Sequence, residues 1–127
     1  MAKILIAEDD QITRRVISNI IEKMGHVVIQ ASNGKVALSI LLDNPDIEML
    51  VTDVMMPDMG GEALINILRG KPEFDVFPII IISGVVGPRA IANLLDNGAS
   101  VFVAKPVKSD DLRNYVKYYL KGAAAHP

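Results

Sequence analysis

The chain has 127 residues, with 13 Lys and Arg against 15 Asp and Glu, for a net charge of −2. That length suits one domain with a hydrophobic core, and that charge argues against a strongly basic nucleic-acid binder. Half of the residues are hydrophobic and none is cysteine, which excludes disulfide scaffolds, Cys-ligated zinc and thiol nucleophiles.

Lys3–Ala7 is an apolar run that stops at Glu8-Asp9-Asp10. It predicts a first strand and is too short for a secretory apolar core or a membrane span. Ile12, Val16, Ile17, Ile20, Ile21 and Met24 recur at helical spacing up to Gly25 and predict a helix that buries this stripe. Asp10, nearest the helix start, reads as its cap. Val27–Ala31 is a second strand. Asn33 caps a second helix with Val36, Ala37, Ile40 and Leu41 on its apolar side. Met49–Asp53 is a third strand and Glu62–Leu68 a third, short helix. Ile79–Ile82 is β-branched throughout and suits a strand buried on both faces. Pro88 opens a fourth helix with Ile91, Leu94 and Leu95 facing in, ended by Gly98. Val101–Ala104 is a fifth strand. Ser109 caps a fifth helix, with Asp110 and Asp111 in its first turn. Leu112, Val116, Tyr119 and Leu120 form its inward stripe, which leaves Tyr115 and Tyr118 partly exposed. Residues 3–121 read as one domain and 122–127 as a flexible tail.

Five strand–helix repeats predict an α/β fold, a (βα)5 three-layer sandwich around a parallel sheet. Its natural strand order is the flavodoxin-like 2-1-3-4-5, which puts ligands beyond the carboxyl ends of the strands. Those ends carry Glu8-Asp9, Asp53, Ser83 and Lys105-Pro106. Strands 1, 3, 4 and 5 are neighbours in this order, so three carboxylates, a hydroxyl and an ammonium converge on one rim. Clustered carboxylates repel one another, and a hard divalent cation removes that cost. A carboxylate there can also act as a nucleophile toward phosphorus. Taken singly, each residue has a plainer reading: Asp53 as a solvated strand-end acid, Phe102 as core, and Met55, Met56 and Met59 as gap fillers.

Four segments carry a resemblance: Ile4-Leu5-Ile6-Ala7-Glu8-Asp9-Asp10, Val51-Thr52-Asp53-Val54-Met55-Met56-Pro57, Ile81-Ile82-Ser83-Gly84 and Val103-Ala104-Lys105-Pro106. In this order, at these strand tips, they resemble the signature of response regulator receiver domains, and the likeness runs from Lys3 to about Lys121. The resemblance implies a phosphoacceptor in a two-component system. Asp53 would take a phosphoryl group from a histidine kinase or phosphotransfer protein. Glu8, Asp9, Asp53 and the Met55 backbone carbonyl would hold Mg²⁺, with Mn²⁺ able to replace it. Lys105, before an expected cis bond to Pro106, and the Met55 and Gly84 backbone would contact the phosphoryl group. Ser83 and Phe102 would be the switch pair. The surface of helix 4, strand 5 and helix 5, with Tyr115 and Tyr118, would be the partner or homodimer face. A downstream protein or an output domain outside this chain would read the change. The implied setting is cytoplasmic, with no membrane, no direct nucleic-acid contact and no turnover of external substrates.

Some positions depart from the family pattern. Gly60-Gly61 stands where many members have Asp-Gly and predicts a looser loop after Asp53. Gly84 stands where alanine is frequent and should loosen the loop into helix 4. Met55 and Val85, both apolar, would shield an acyl phosphate from water. His26 and His126 lack partners and read as surface residues. Three rivals stay open at this level. A receiver-like interaction module would never be phosphorylated. A Mg²⁺ phosphatase of the haloacid dehalogenase type needs a second Asp two residues past the nucleophile, where Met55 stands. A flavin binder would place phosphate against the repelling Glu8-Asp9-Asp10.

Overall fold

Short apolar runs bounded by turns become strands, and the capped periodic stretches between them become helices. In the computed structural model, which describes residues 1–84 and 86–121, the elements are β1 (Lys3–Ala7), α1 (Gln11–Lys23), β2 (Val27–Ala31), α2 (Gly34–Asp43), β3 (Met49–Asp53), α3 (Gly61–Arg69), β4 (Ile79–Ser83), α4 (Pro88–Asp96), β5 (Val101–Ala104) and α5 (Ser109–Leu120). The sheet order is β2-β1-β3-β4-β5 and every pairing is parallel, as the repeat predicts. Being parallel, all five strands end on the same edge.

Successive strand residues point to opposite faces, so each strand feeds two cores. Ile4, Ile6, Met49, Val51, Ile80, Ile82 and Val103 pack with Ile17 and Ile21 of α1 and with Leu112 and Val116 of α5. Leu5, Leu50, Ile79 and Ile81 pack with Leu41 of α2, Leu64 and Leu68 of α3 and Leu94 of α4. Every residue of β3 and β4 is buried. Each fully buried Leu or Ile contributes about 1.5–3 kcal/mol, so this double core carries most of the stability.

Asp10 caps α1 by accepting from the Thr13 amide, and Asn33 caps α2 by accepting from Val36. Gly25, at φ +94°, turns the chain after α1 in a conformation that favours glycine. Four local expectations need correction. In α1, Ile17 and Ile21 are buried but Ile12 is 76% and Val16 45% exposed. At about 100° per residue those two lie on a separate flank, beside Pro106 and Val107. Val36 is likewise exposed on α2, because Ala37 and Leu41 take the inward side. Ser109 does not cap α5; Lys108 holds that place without a side-chain bond, and Ser109 is the first helical residue. His26 is half-buried and its Nδ1 accepts from the Ala2 amide at 3.0 Å, so it is not a bare surface residue.

The sequence pattern also misses a 3₁₀ turn at Pro72–Phe74. Arg69 ties that turn to the α4–β5 connection. Its guanidinium donates to the Gly98 carbonyl at 2.7 and 3.0 Å and to the Phe74 carbonyl. The expected tail, with His126, lies outside the described residues, as does Val85.

Candidate functional site

The alternation that builds the cores also sorts the site. Glu8 continues the phase of Ile4 and Ile6, Asp53 that of Val51, and Lys105 that of Val103, so all three side chains fall on the α1–α5 face. Ser83 and Phe102 take the opposite phase: Ile81, two residues before Ser83, pairs in register with Phe102, and both lie in the α2–α4 core.

Asp53 is buried at the tip of β3 with 6% exposure. Its Oδ1 accepts from the Val54 amide at 2.6 Å and weakly from the Met55 amide at 3.4 Å. Its Oδ2 accepts from Lys105 Nζ at 2.7 Å. Glu8 is 1% exposed; its Oε2 accepts from the Asp10 amide at 3.1 Å and its Oε1 lies 2.8 Å from Lys105 Nζ. That second contact has the length of an ion pair without the angle of a hydrogen bond. Among the described residues Glu8 Oε1 therefore has no hydrogen-bond donor. Burial raises the pKa of Glu8; the Lys105 and Asp10 contacts oppose it only in part, and the charge of Asp53 adds to the rise. Burial pulls Lys105 down, but its contacts with Asp53 and Glu8 outweigh this and raise it, so it stays cationic.

Asp9 is exposed beside this trio, and Glu8, Asp9 and Asp53 each offer an oxygen within 4.8 Å of the others. Three hard oxygen donors, one of them buried without a hydrogen bond, suit Mg²⁺ better than any soft metal. The donor set thus fits a divalent cation.

Ser83 is buried at 2% on the strand next to Asp53, whose register partner is Ile82. Phe102 is half-buried against the α2–α4 core. The Lys105–Pro106 bond is cis, as expected. Gly84 is exposed, and a Cβ there would lie 3.9 Å from Lys105 Cβ and Cδ, an ordinary contact that leaves room for alanine. Met55 is 74% exposed. Its expected partner in shielding, Val85, is outside the described residues. Tyr115 is half-buried; Tyr118 is 39% exposed and sets its ring edge-on against Tyr119, ring centres 4.9 Å apart.

The glycine pair after Asp53 lies tight against neighbouring backbone. Gly61 donates to the Val54 carbonyl at 2.9 Å, and a Cβ there would sit 2.3 Å from the Asp53 carbonyl oxygen. A Cβ on Gly60 would meet the Val54 carbonyl oxygen at 2.7 Å. Two further tethers were not visible in the sequence: Gly34 donates to the Met59 carbonyl at 2.9 Å, and Arg14 Nη1 donates to the Glu8 carbonyl at 2.7 Å. The first joins residues far apart in sequence and the second spans the turn into α1, and only a glycine in the first position of α2 hints at the first.

The sequence model of the response regulator receiver domain family matches residues 4–117. The chain belongs to that family. This receiver is 31% identical over 105 residues to a chemotaxis protein CheY homolog of Campylobacter jejuni, covering 82% of this chain and 81% of the relative. It is 31% identical to the two-component response regulator ORR11 of Oryza sativa, covering 86% and 74%. Among solved structures, the receiver domain of a signal transduction histidine kinase from Syntrophus aciditrophicus superposes with a TM-score of 0.87 at 32% identity, covering 97% and 92%. The receiver domain of Francisella response regulator 1452 gives 0.86 at 30%, covering 96% and 98%. Receiver domains are signalling modules of two-component systems, phosphorylated by a histidine kinase or phosphotransfer partner, and they bind Mg²⁺ at an acidic pocket. No helix among the described residues is long and apolar enough to cross a membrane.

Proposed function

We propose that Asp53 is the phosphoacceptor of this receiver. The observation that carries the reading is the buried Asp53 carboxylate, held at one oxygen by the Val54 amide and at the other by Lys105 Nζ, beside Glu8 and Asp9. An Asp53 oxygen forms a bond to phosphorus while the donor's P–N or P–O bond breaks, and the donor leaves with the electron pair. Lys105 keeps its charge through this step and follows the phosphoryl group, while the backbone of Met55 and Gly84 lines the same position. Glu8, Asp9, Asp53 and the Met55 carbonyl would hold Mg²⁺, or Mn²⁺ in its place. When bound, the cation neutralises charge on the carboxylates and phosphoryl oxygens.

The response of the domain runs through Ser83 and Phe102. Ser83 turns its hydroxyl toward the phosphoryl group from the opposite face of the sheet, and Phe102 fills the space left, which shifts the population between two packings. The altered surface is α4, β5 and α5, where Tyr118 offers exposed aromatic area to a downstream protein or a second copy. The chain acts in the cytoplasm as a signal carrier and does not turn over external substrates.

Intact-mass spectrometry after incubation with Mg²⁺ and a small acyl phosphate tests the acceptor. One phosphoryl adduct is expected, absent from Asp53→Asn and absent without Mg²⁺; no adduct under any donor would overturn the reading. Serine at both Tyr115 and Tyr118 should weaken phosphorylation-dependent association measured by ultracentrifugation or pull-down of the downstream protein. Unchanged association would remove the partner face.

A further inference from the structure

The acidic turn between β1 and α1 is braced from behind by a hydrogen-bonded ring that the phosphoryl chemistry does not use. Arg14, half-buried one turn into α1, sends Nη1 to the Glu8 carbonyl at 2.7 Å and Nε to Gln30 Oε1 at 3.1 Å. Gln30, on the neighbouring β2, donates through Nε2 to Ser18 Oγ at 3.0 Å. Ser18, 2% exposed, closes the ring by donating to the Arg14 carbonyl at 2.7 Å. Every partner bonds in a fixed sense, so the guanidinium fork is held in one orientation.

The atom this fork grips matters. The Glu8 carbonyl belongs to the peptide unit that leads into Asp9, so fixing it fixes the plane from which the Asp9 side chain hangs. The Glu8 amide is tied on the other side to the Ala31 carbonyl at 3.0 Å. Asp9 is exposed and Glu8 is buried, so the exposed member of the pair relies on this backbone brace for its aim. We infer that Arg14, oriented by Gln30 and Ser18, is a positioning residue for the Glu8–Asp9 pair and sets the affinity of the acidic site for its divalent cation. The inference rests on the reading of Glu8, Asp9 and Asp53 as cation ligands.

The sign of one measurement separates this role from a plain charge effect. Arg14 is a cation near a cation site, so by charge alone its removal would tighten Mg²⁺ binding. As a brace its removal loosens binding. Calorimetric titration with Mg²⁺ on Arg14→Met, which keeps most of the apolar stem, should show the dissociation constant rising by roughly tenfold, the low end for a group that orients ligands. The phosphorylation rate at saturating Mg²⁺ should return to the wild-type value. Gln30→Ala leaves every charge in place and should weaken Mg²⁺ by a smaller factor in the same direction; it decides the matter if Arg14→Met fails to fold. Ile21→Val, buried in the same helix and remote from the turn, should lower thermal stability without moving the Mg²⁺ constant. Tightened or unchanged Mg²⁺ binding in the folded Arg14→Met variant, or in Gln30→Ala if that variant alone folds, overturns the inference and leaves the cation site standing. Absence of Mg²⁺ binding in the wild type overturns both.

Discussion

Replacing Gly61 with alanine should damage both the stability and the chemistry of this receiver. The new Cβ would lie 2.3 Å from the Asp53 carbonyl oxygen and 3.1 Å from Val54 Cα, both of them backbone atoms with little room to yield. Restoring ordinary contact requires the first turn of α3 to retreat by about 1 Å, an overpacking that costs ~1–3 kcal/mol. The same retreat stretches the 2.9 Å bond from the Gly61 amide to the Val54 carbonyl, worth about 1 kcal/mol. Alanine offsets about 1 kcal/mol through helix propensity and a less flexible unfolded chain. The net loss is then about 1–3 kcal/mol, or a fall of roughly 4–12 °C in Tm for a domain of this size. Because the Val54 amide holds Asp53 Oδ1, displacement of this peptide also misplaces the proposed nucleophile, and a 1 Å error can slow a reaction about 100-fold. Thermal unfolding by circular dichroism reads the first effect, and the rate of adduct formation with a small acyl phosphate reads the second. Gly70→Ala is the matched control: it ends α3 at φ −77°, and its Cβ would meet the Ile67 carbonyl oxygen at 3.4 Å. If Gly61→Ala melts with the wild type and is phosphorylated at the same rate, the steric argument is wrong.

Lys105→Met leaves the buried Glu8 and Asp53 carboxylates without their cation. It should cost about 1–3 kcal/mol in the absence of Mg²⁺, less than a fully buried pair because the Lys105 side chain is 25% exposed. Mg²⁺ should recover much of that loss in calorimetry, and an equal loss with and without Mg²⁺ would contradict the electrostatic account. Burial, then the N-terminal ammonium, hold His26 below its ordinary pKa of 6.5. Its contribution is therefore complete above that value and lost as pH falls through the lower folded value. His26→Gln should melt with a flatter slope between neutral pH and that value, and parallel melting curves would count against it. Arg69→Ala strands the Gly98 and Phe74 carbonyls and should cost about 2–3 kcal/mol in urea unfolding; a loss under 0.5 kcal/mol, the usual scatter of surface substitutions, would show the clamp to be idle.

Strands were the most legible part of the fold, because a strand covered on both faces must be apolar at nearly every position, and Ile79–Ile82 is. The site was legible for a related reason: parallel strands end on one edge, so the last residue of each apolar run names a rim position. Helix orientation was harder. Ile12 and Val16 are as helical in spacing as Ile17 and Ile21, and only packing against the sheet decides which pair turns inward. The tight fit of the glycines at 60 and 61 was not legible because it comes from carbonyls several residues earlier in sequence, brought close by the turn. The ring of Arg14, Gln30 and Ser18 spans a helix and a strand, and no local pattern encodes it.

The opposed phases of Lys105 and Phe102 make this receiver sensitive to a kind of change that composition alone would call harmless. Deleting one residue inside β5 would keep an apolar strand of nearly the same length. Yet removing Val103 or Ala104 would put Phe102 and Lys105 in the same phase: with the start of the strand anchored, the ring stays against the α2–α4 core and the ammonium turns to that face, away from the carboxylates. Chimeras assembled from related receivers must therefore keep the odd or even character of the count of residues from strand start to tip.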